Sequence, residues 1–299
     1  MQIACLYTLS KHINNHYSKI IIPKRNGSVR HILAPSPLLK KVQKNILHHI
    51  LDHIPVSTCA MAYSKGSTIV ANAAMHTGQK QILKLDIEDF FSSIRFLMVY
   101  NHAFSKIYFP PAIQALLTNL CCYKGYLPHG APTSAAISNL VMKPLDEYMG
   151  QWCSEREIIY TRYCDDMVFS GDFDAKMVKN KVQNFLQAMG LNLNQKKTKC
   201  LLQNQQQTVT GIVVNDKTQT PSSYRKALRQ EIYYIQKFGI DSHLKRINDR
   251  VYLPLGQAGI ERYLSALLGK INFILQVNPD DYFFQNVKIF IKRKINKNK

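Results

Sequence analysis

Over the first two hundred residues, short apolar runs of strand character alternate with stretches whose apolar positions recur at helical spacing. Residues 18–33 predict a β-hairpin. Ile20, Ile21 and Ile22 form the outward run, Arg25-Asn26-Gly27 the turn, and Val29, Ile32 and Leu33 the return. Pro35 and Pro37 end it. Residues 38–54 predict a helix, with Leu39, Val42, Ile46, Leu47 and Ile50 on one face and lysines opposite.

Ile82-Leu83-Lys84-Leu85-Asp86-Ile87 predicts a short buried strand, followed by a helical start at Asp89-Phe90-Phe91. Residues 131–148 are rich in small side chains and then helical. Residues 158–163 and 167–170 are β-rich runs separated by Cys164-Asp165-Asp166, a hairpin with two carboxylates at its tip. Residues 175–189 predict an amphipathic helix ending at Gly190, and residues 208–214 another strand. After Pro221 a helix is expected, with Ser222 as N-cap and Tyr224, Leu228, Ile232 and Ile235 at helical spacing. From Lys288 onward, Lys292, Arg293, Lys294, Lys297 and Lys299 have no acid among them, and a frayed tail is expected unless RNA or a partner orders it.

Length and composition narrow the class. With 299 residues and 46% apolar side chains the chain buries a sizeable core, as one large domain or a few subdomains. No apolar run reads as a membrane span, and Met1-Gln2-Ile3-Ala4-Cys5 does not open like a secretory signal, so a cytoplasmic location is expected. Seven cysteines without a Cys-x-x-Cys pair make neither a disulfide framework nor a zinc ribbon. His12 and His16 lack a third ligand of matching spacing. Charge discriminates most: Lys plus Arg number 39 against 19 acids, a net +20. That surplus exceeds what solubility needs and implies a polyanionic partner, nucleic acid in preference to a membrane.

A basic chain that keeps acids in apolar strands needs a reason. Asp86, Asp165 and Asp166 brought together would repel one another in a low-dielectric site, and divalent cations relieve that repulsion. Magnesium is held by one or two carboxylates plus substrate phosphates. Two such ions about 3.5–4 Å apart stabilise the attacking and leaving oxygens of an in-line phosphoryl transfer. The pattern therefore points to a nucleotidyl transferase with Asp86 and Asp165 as metal ligands and Asp166 alongside.

Residues 82–94 resemble the first catalytic motif of reverse transcriptases. Leu127-Pro128-His129-Gly130-Ala131-Pro132-Thr133-Ser134 and its continuation to Leu140 resemble the motif beneath template and incoming nucleotide. Tyr163-Cys164-Asp165-Asp166 matches Tyr-x-Asp-Asp, and residues 190–198 resemble the motif that follows. Asn72-Ala73-Ala74-Met75-His76 and Val209-Thr210-Gly211 match the Asn-Ala-x-x-His and Val-Thr-Gly elements of retron reverse transcriptases. The resemblance runs from about Ile20 to about Arg229, with nothing like an RNase H or integrase domain.

What the resemblance implies is an α+β right-hand polymerase fold. Residues 1–80 would form the first part of the fingers. Residues 81–215 would form the palm, interrupted by a fingers segment around 100–125. Residues 216–299 would form a helical thumb and basic tail. It implies RNA-directed DNA synthesis with two Mg2+ ions and deoxynucleoside triphosphates on a cognate structured non-coding RNA. Priming would come from a guanosine 2′-hydroxyl, giving a branched RNA–DNA hybrid (msDNA). A defence role against phage, with an effector protein, is also implied.

Carried over residue by residue, Asp86, Asp165, Asp166 and the Ile87 carbonyl would hold metal. Lys24 and Arg30 would fold over the triphosphate, Arg as a bidentate fork and Lys as a point charge. Phe91 would sit under the sugar and exclude a 2′-hydroxyl. Gly130 would allow close approach to nucleotide and template. Lys197, with Lys196 competing, would stand near the pyrophosphate. His129 and Ala135 replace the usual Gln and Pro. Asn72 and His76, four apart, are open to RNA contact or a structural role. Val209, Thr210 and Gly211 are the stronger RNA candidates, joined by Tyr224, Arg225, Lys226 and Arg229. Two other readings remain: an RNA-binding scaffold that holds an effector inactive, and a reverse transcriptase of group II intron or diversity-generating type.

Overall fold

Residues 3–23, 27, 29–64 and 66–297 are described by a computed structural model. Their contacts divide into two units, residues 1–68 with 79–202 and residues 69–78 with 203–299.

The first unit carries two sheets. Strands β1 (Tyr17–Pro23) and β2 (Val29–Pro35) form the expected antiparallel hairpin, with Ile20 opposite Ile32. The turn residues Lys24, Arg25 and Asn26 lie outside the described residues. Four strands make the second sheet: β3 (Gln81–Asp86), β4 (Ile159–Tyr163), β5 (Asp166–Gly171) and β6 (Lys199–Leu202). Their order is β4-β5-β3-β6, all antiparallel. The two central strands are buried almost throughout, and so read as continuous apolar runs. Helix Ser134–Ser154 supplies Ile137, Leu140, Val141, Leu145 and Met149, and helix Ala175–Ala188 supplies Val178, Val182 and Leu186, to one core with Leu83, Leu85, Met167 and Phe169. The helix expected over 38–54 runs Pro37–His49 behind a Ser36 N-cap, then tightens into a 3₁₀ turn at Leu51–His53.

The second unit is mostly helical. Helices Ser222–Phe238, Ile240–Arg246, Gly256–Val277 and Tyr282–Lys297 bury Leu228, Ile232, Leu244, Leu264, Leu267, Ile271 and Phe284 in a core of their own. Four expectations change here. The strand expected over 208–214 is a miniature hairpin, β7 (Thr208–Val209) and β8 (Ile212–Val213), because Thr210 and Gly211 both take positive φ (48° and 82°) and turn the chain. Ser222 is the first helical residue, with Pro221 at the N-cap. The tail is helical through Lys297, since Phe284, Val287 and Ile291 recur on one face and are buried. Residues 69–78, placed with the fingers from sequence, group instead with residues 203–299, because helix Ile69–Met75 packs on β7 and β8. Among the described residues no helix is long and apolar enough to cross a membrane.

Candidate active site

The register of the four-stranded sheet brings the acids together. β3 ends at Asp86 and β5 begins at Asp166, and the two are direct partners across the ladder. Directly opposed residues share a face, so two carboxylates meet where like charges repel. Tyr163 pairs with Asp166, which leaves Cys164 and Asp165 as a two-residue loop. The Asp165 carbonyl accepts from the Ile87 N–H at 3.1 Å and fixes that loop beside the exit of β3. On the other side, the Asn194 N–H donates to the Asp86 carbonyl (2.8 Å) and the Glu88 N–H to the Asn192 carbonyl (2.9 Å). Three segments far apart in sequence thus converge on Asp86.

Electrostatics follow from this crowding. Burial pushes the Asp86 carboxyl up, and the Lys197 ammonium, 2.9 and 2.8 Å from its two oxygens, opposes that. Asp166 is pushed up to about 6, first by burial and then by the Asp165 charge. Burial pulls the Lys197 ammonium down, but Asp86, Asp165 and Asp166 outweigh it and its pKa ends raised. Lys197 is therefore placed as the counter-ion of Asp86; Lys196 is exposed. Among the described residues no three His, Cys, Asp or Glu side chains form a ready metal cage. The donor set is all oxygen and short of positive charge, and so suits a hard cation that completes its shell with substrate phosphates.

Phe90 is packed in the core, while Phe91 is half-buried and stacks on His129, centroids 5.1 Å apart. Gly130 has φ +124°, and a Cβ there would lie 2.6 Å from Ile32 Cγ2 and 2.9 Å from the Leu33 carbonyl oxygen. The close approach that requires glycine here is to β2. A hydrogen bond from the Leu33 N–H to the His129 carbonyl (2.8 Å) locks the same contact. Arg30 is exposed on β2. Lys24 lies outside the described residues.

In the second unit the two short elements singled out from sequence meet each other. Helix Ile69–Met75, which carries Asn72, packs on the β7–β8 hairpin, and the Thr210 hydroxyl donates to the Ile69 carbonyl (3.1 Å). The Gly78 N–H donates to the Val214 carbonyl (3.0 Å). Asn72, His76 and Val209 are fully buried; Thr210 is half-buried and Gly211 exposed. Burial lowers His76 to about 4. Tyr224 packs edge-on against Phe273, Arg225 donates to Gln219, and Arg229 lies over Phe283 at 5.0 Å and near Asp281. Lys226 is exposed.

Sequence reasoning missed the group behind the carboxylates. Arg162 on β4 and Asp146 on helix Ser134–Ser154 are both fully buried and paired, Nη2 to Oδ2 at 2.6 Å and Nε to Oδ1 at 2.9 Å. The Tyr160 hydroxyl also donates to Asp146 (2.8 Å). For Arg162 a signal was present, one cation inside an otherwise uncharged strand run; for Asp146, next to Glu147 and near Lys143, there was none.

Comparison with known proteins places the chain in a family. The family model described as reverse transcriptase (RNA-dependent DNA polymerase) matches residues 22–214. The retron Ec86 reverse transcriptase of Escherichia coli is 35% identical over 210 residues, 69% of this chain and 65% of that protein. The retron Mx65 reverse transcriptase of Myxococcus xanthus is 32% identical over 237 residues, 73% and 56% of the two chains. The chain thus spans less than two thirds of the length of either relative. Apo telomerase from Candida tropicalis is similar in fold, with TM-score 0.50 at 11% identity over 94% of this chain and 62% of that one.

Proposed function

The chain belongs to the reverse transcriptase (RNA-dependent DNA polymerase) family, and on that premise we propose that it is the RNA-directed DNA polymerase of a retron. It copies a cognate structured RNA into DNA from a guanosine 2′-hydroxyl, giving a branched RNA–DNA hybrid. The observation that carries the chemistry is the cross-strand pairing of Asp86 with Asp166, with Asp165 on the adjoining loop. The retron assignment is supported by residues 72–76 and 209–211, which pack together in one unit.

In the transfer, a primer hydroxyl oxygen bonds to the α-phosphorus of a deoxynucleoside triphosphate as the bond to the bridging oxygen breaks and pyrophosphate leaves. Asp86, Asp165 and the Ile87 carbonyl, with Asp166 alongside, would hold two Mg2+ ions. When bound, those ions supply the charge that stabilises the attacking and leaving oxygens. Lys197 bonds both Asp86 oxygens and opposes the rise that burial imposes on that carboxyl. The Phe91 ring, held by its stack on His129, closes the space that a ribose 2′-hydroxyl would need. Arg30 and Lys24 bind the triphosphate, and His129 and Gly130 lie beside the nucleotide. Residues 1–68 with the helical segment around 100–125 act as fingers, the four-stranded sheet as palm, and the second unit as thumb. The exposed cations of the second unit, Lys226 among them, meet the RNA backbone. The protein works in the cytoplasm with an effector protein in defence against phage.

The test is purification from the native operon, comparing wild type with the Asp165→Asn, Asp166→Asn double variant. Branched RNA–DNA with wild type and RNA alone with the variant is the expected result. RNA alone with both would replace polymerisation by scaffolding.

A further inference from the structure

The two-residue loop that carries Asp165 is built against local preference. Cys164 has φ +61°, in the left-handed region. Two-residue hairpin loops put positive φ at such positions and fill them with Gly or Asn, since a Cβ there meets the carbonyl oxygen. A side chain held in that conformation persists only where its surroundings over-determine it.

Those surroundings include the Ile87 N–H on the Asp165 carbonyl and the Tyr63 hydroxyl 3.8 Å from Cys164 Sγ, but the group that holds Cys164's own backbone is a guanidinium. Arg162 Nη1 donates to the carbonyl of Cys164 itself at 2.9 Å, reaching forward two residues past the end of β4. Nε and Nη2 grip Asp146, and Nη2 also donates to Asn139 Oδ1 at 3.2 Å. Asn139 in turn donates to the Ala62 carbonyl (2.8 Å), and the backbone of Arg162 is bonded on both sides, its N–H to the Cys59 carbonyl and its carbonyl to the Met61 N–H, each at 2.8 Å. Arg162 and Asp146 are wholly removed from water, so the charge is neutralised in place and the fork cannot swing. A lysine could keep the charge but not the planar fork that serves Asp146, Asn139 and Cys164 together.

We propose that Arg162 is a positioning residue for the metal-binding carboxylates, holding the Cys164 carbonyl so that the strained loop presents Asp165 and Asp166 beside Asp86. It touches no substrate. Its role is to keep one rare backbone conformation populated, and a misplacement of about 1 Å at reacting groups costs on the order of a hundredfold in rate.

The kinetic arm of the test rests on the polymerase reading above; the thiol arm does not. Arg162→Lys is compared with wild type by the rate at which N-ethylmaleimide modifies each cysteine, resolved by peptide mapping. Cys164, Cys121 and Cys153 are all buried. Loosening confined to the loop speeds modification of Cys164 by about tenfold or more and leaves Cys121 and Cys153 unchanged, as expected for local opening. In primer extension, turnover falls by about tenfold or more, with KM for deoxynucleotide held within about threefold, as for a group that acts on the reacting geometry alone. Adding Cys164→Gly, which removes the steric objection to positive φ, restores most of that turnover. Cys164 modified as slowly as in wild type, all three thiols quickened together, or no rescue by glycine would each overturn the proposal. Should Arg162→Lys not accumulate folded, Asn139→Ala takes its place, since it removes one acceptor of the fork without unpairing Asp146, and the same pattern is expected. A wild-type protein that extends no primer would refute the polymerase reading while the thiol arm still decides the role of Arg162.

Discussion

Gly130→Ala probes the scaffold of the site directly. Two costs combine. Alanine at φ +124° is backbone strain of about 1–2 kcal/mol. Its Cβ would also stand 2.6 Å from Ile32 Cγ2 and 2.9 Å from the Leu33 carbonyl oxygen. The second of these is backbone in a paired strand and cannot rotate away, so over-packing adds about 1–3 kcal/mol. The stiffer unfolded chain of an alanine variant returns about 0.4–1 kcal/mol. The net expectation is a loss of about 3 kcal/mol, relieved in part by lifting the 129–130 loop from β2 and breaking the Leu33–His129 hydrogen bond. Gly125→Ala is the control: its φ is +80°, and nothing lies within 4 Å of the added Cβ. It carries the backbone cost without the clash. The chain has one tryptophan, Trp152, which packs against the core of the first unit, so its fluorescence in urea reports unfolding of the unit that holds both glycines. Gly130→Ala should lie below Gly125→Ala by about 1–3 kcal/mol at unchanged denaturant slope. Equal stability of the two variants would refute the claim that contact with β2 is what requires glycine at 130.

His76 predicts a pH effect in the second unit. Its pKa is about 4 folded and about 6.5 unfolded, so its contribution is present in full above pH 6.5 and is lost as pH falls toward 4. Between pH 7 and pH 5 the loss is about 2 kcal/mol, and His76→Gln should flatten that slope in chemical denaturation followed by circular dichroism; an unchanged slope would exclude the histidine as its source. Phe91→Ala opens the space beside His129, and ribonucleotide incorporation relative to deoxynucleotide should rise by about tenfold or more in single-nucleotide extension. Unchanged discrimination would place sugar selection elsewhere.

Local pattern carried the pieces whose logic is local. The isoleucine run and its return gave the β1–β2 hairpin, and the apolar runs around 82–87 and 158–170 gave three strands of the sheet with the carboxylates at their ends. What pattern could not carry was pairing across distance. The reason for glycine at 130 lies in residues 32 and 33, and the partner of Arg162 lies sixteen residues away on a helix. Neither leaves a mark in periodicity. The grouping of residues 69–78 with the C-terminal part of the chain was hidden because a seven-residue, mostly apolar helix does not say which surface it covers. The basic tail was misread for a related reason. Its lysines dominate composition, whereas Phe284, Val287 and Ile291, one helical turn apart on one face, decide its structure.

The central claim is that Asp86, Asp165 and Asp166 together join nucleotides on an RNA template. Its most direct measurement is extension of a labelled DNA primer annealed to RNA, with Mg2+ and deoxynucleotides, by the purified wild-type chain and by Asp86→Asn, Asp165→Asn and Asp166→Asn. Wild type should extend the primer, and each variant should lose about a thousandfold or more in rate while remaining folded. Extension by the variants at the wild-type rate, or none by the folded wild type, would contradict it.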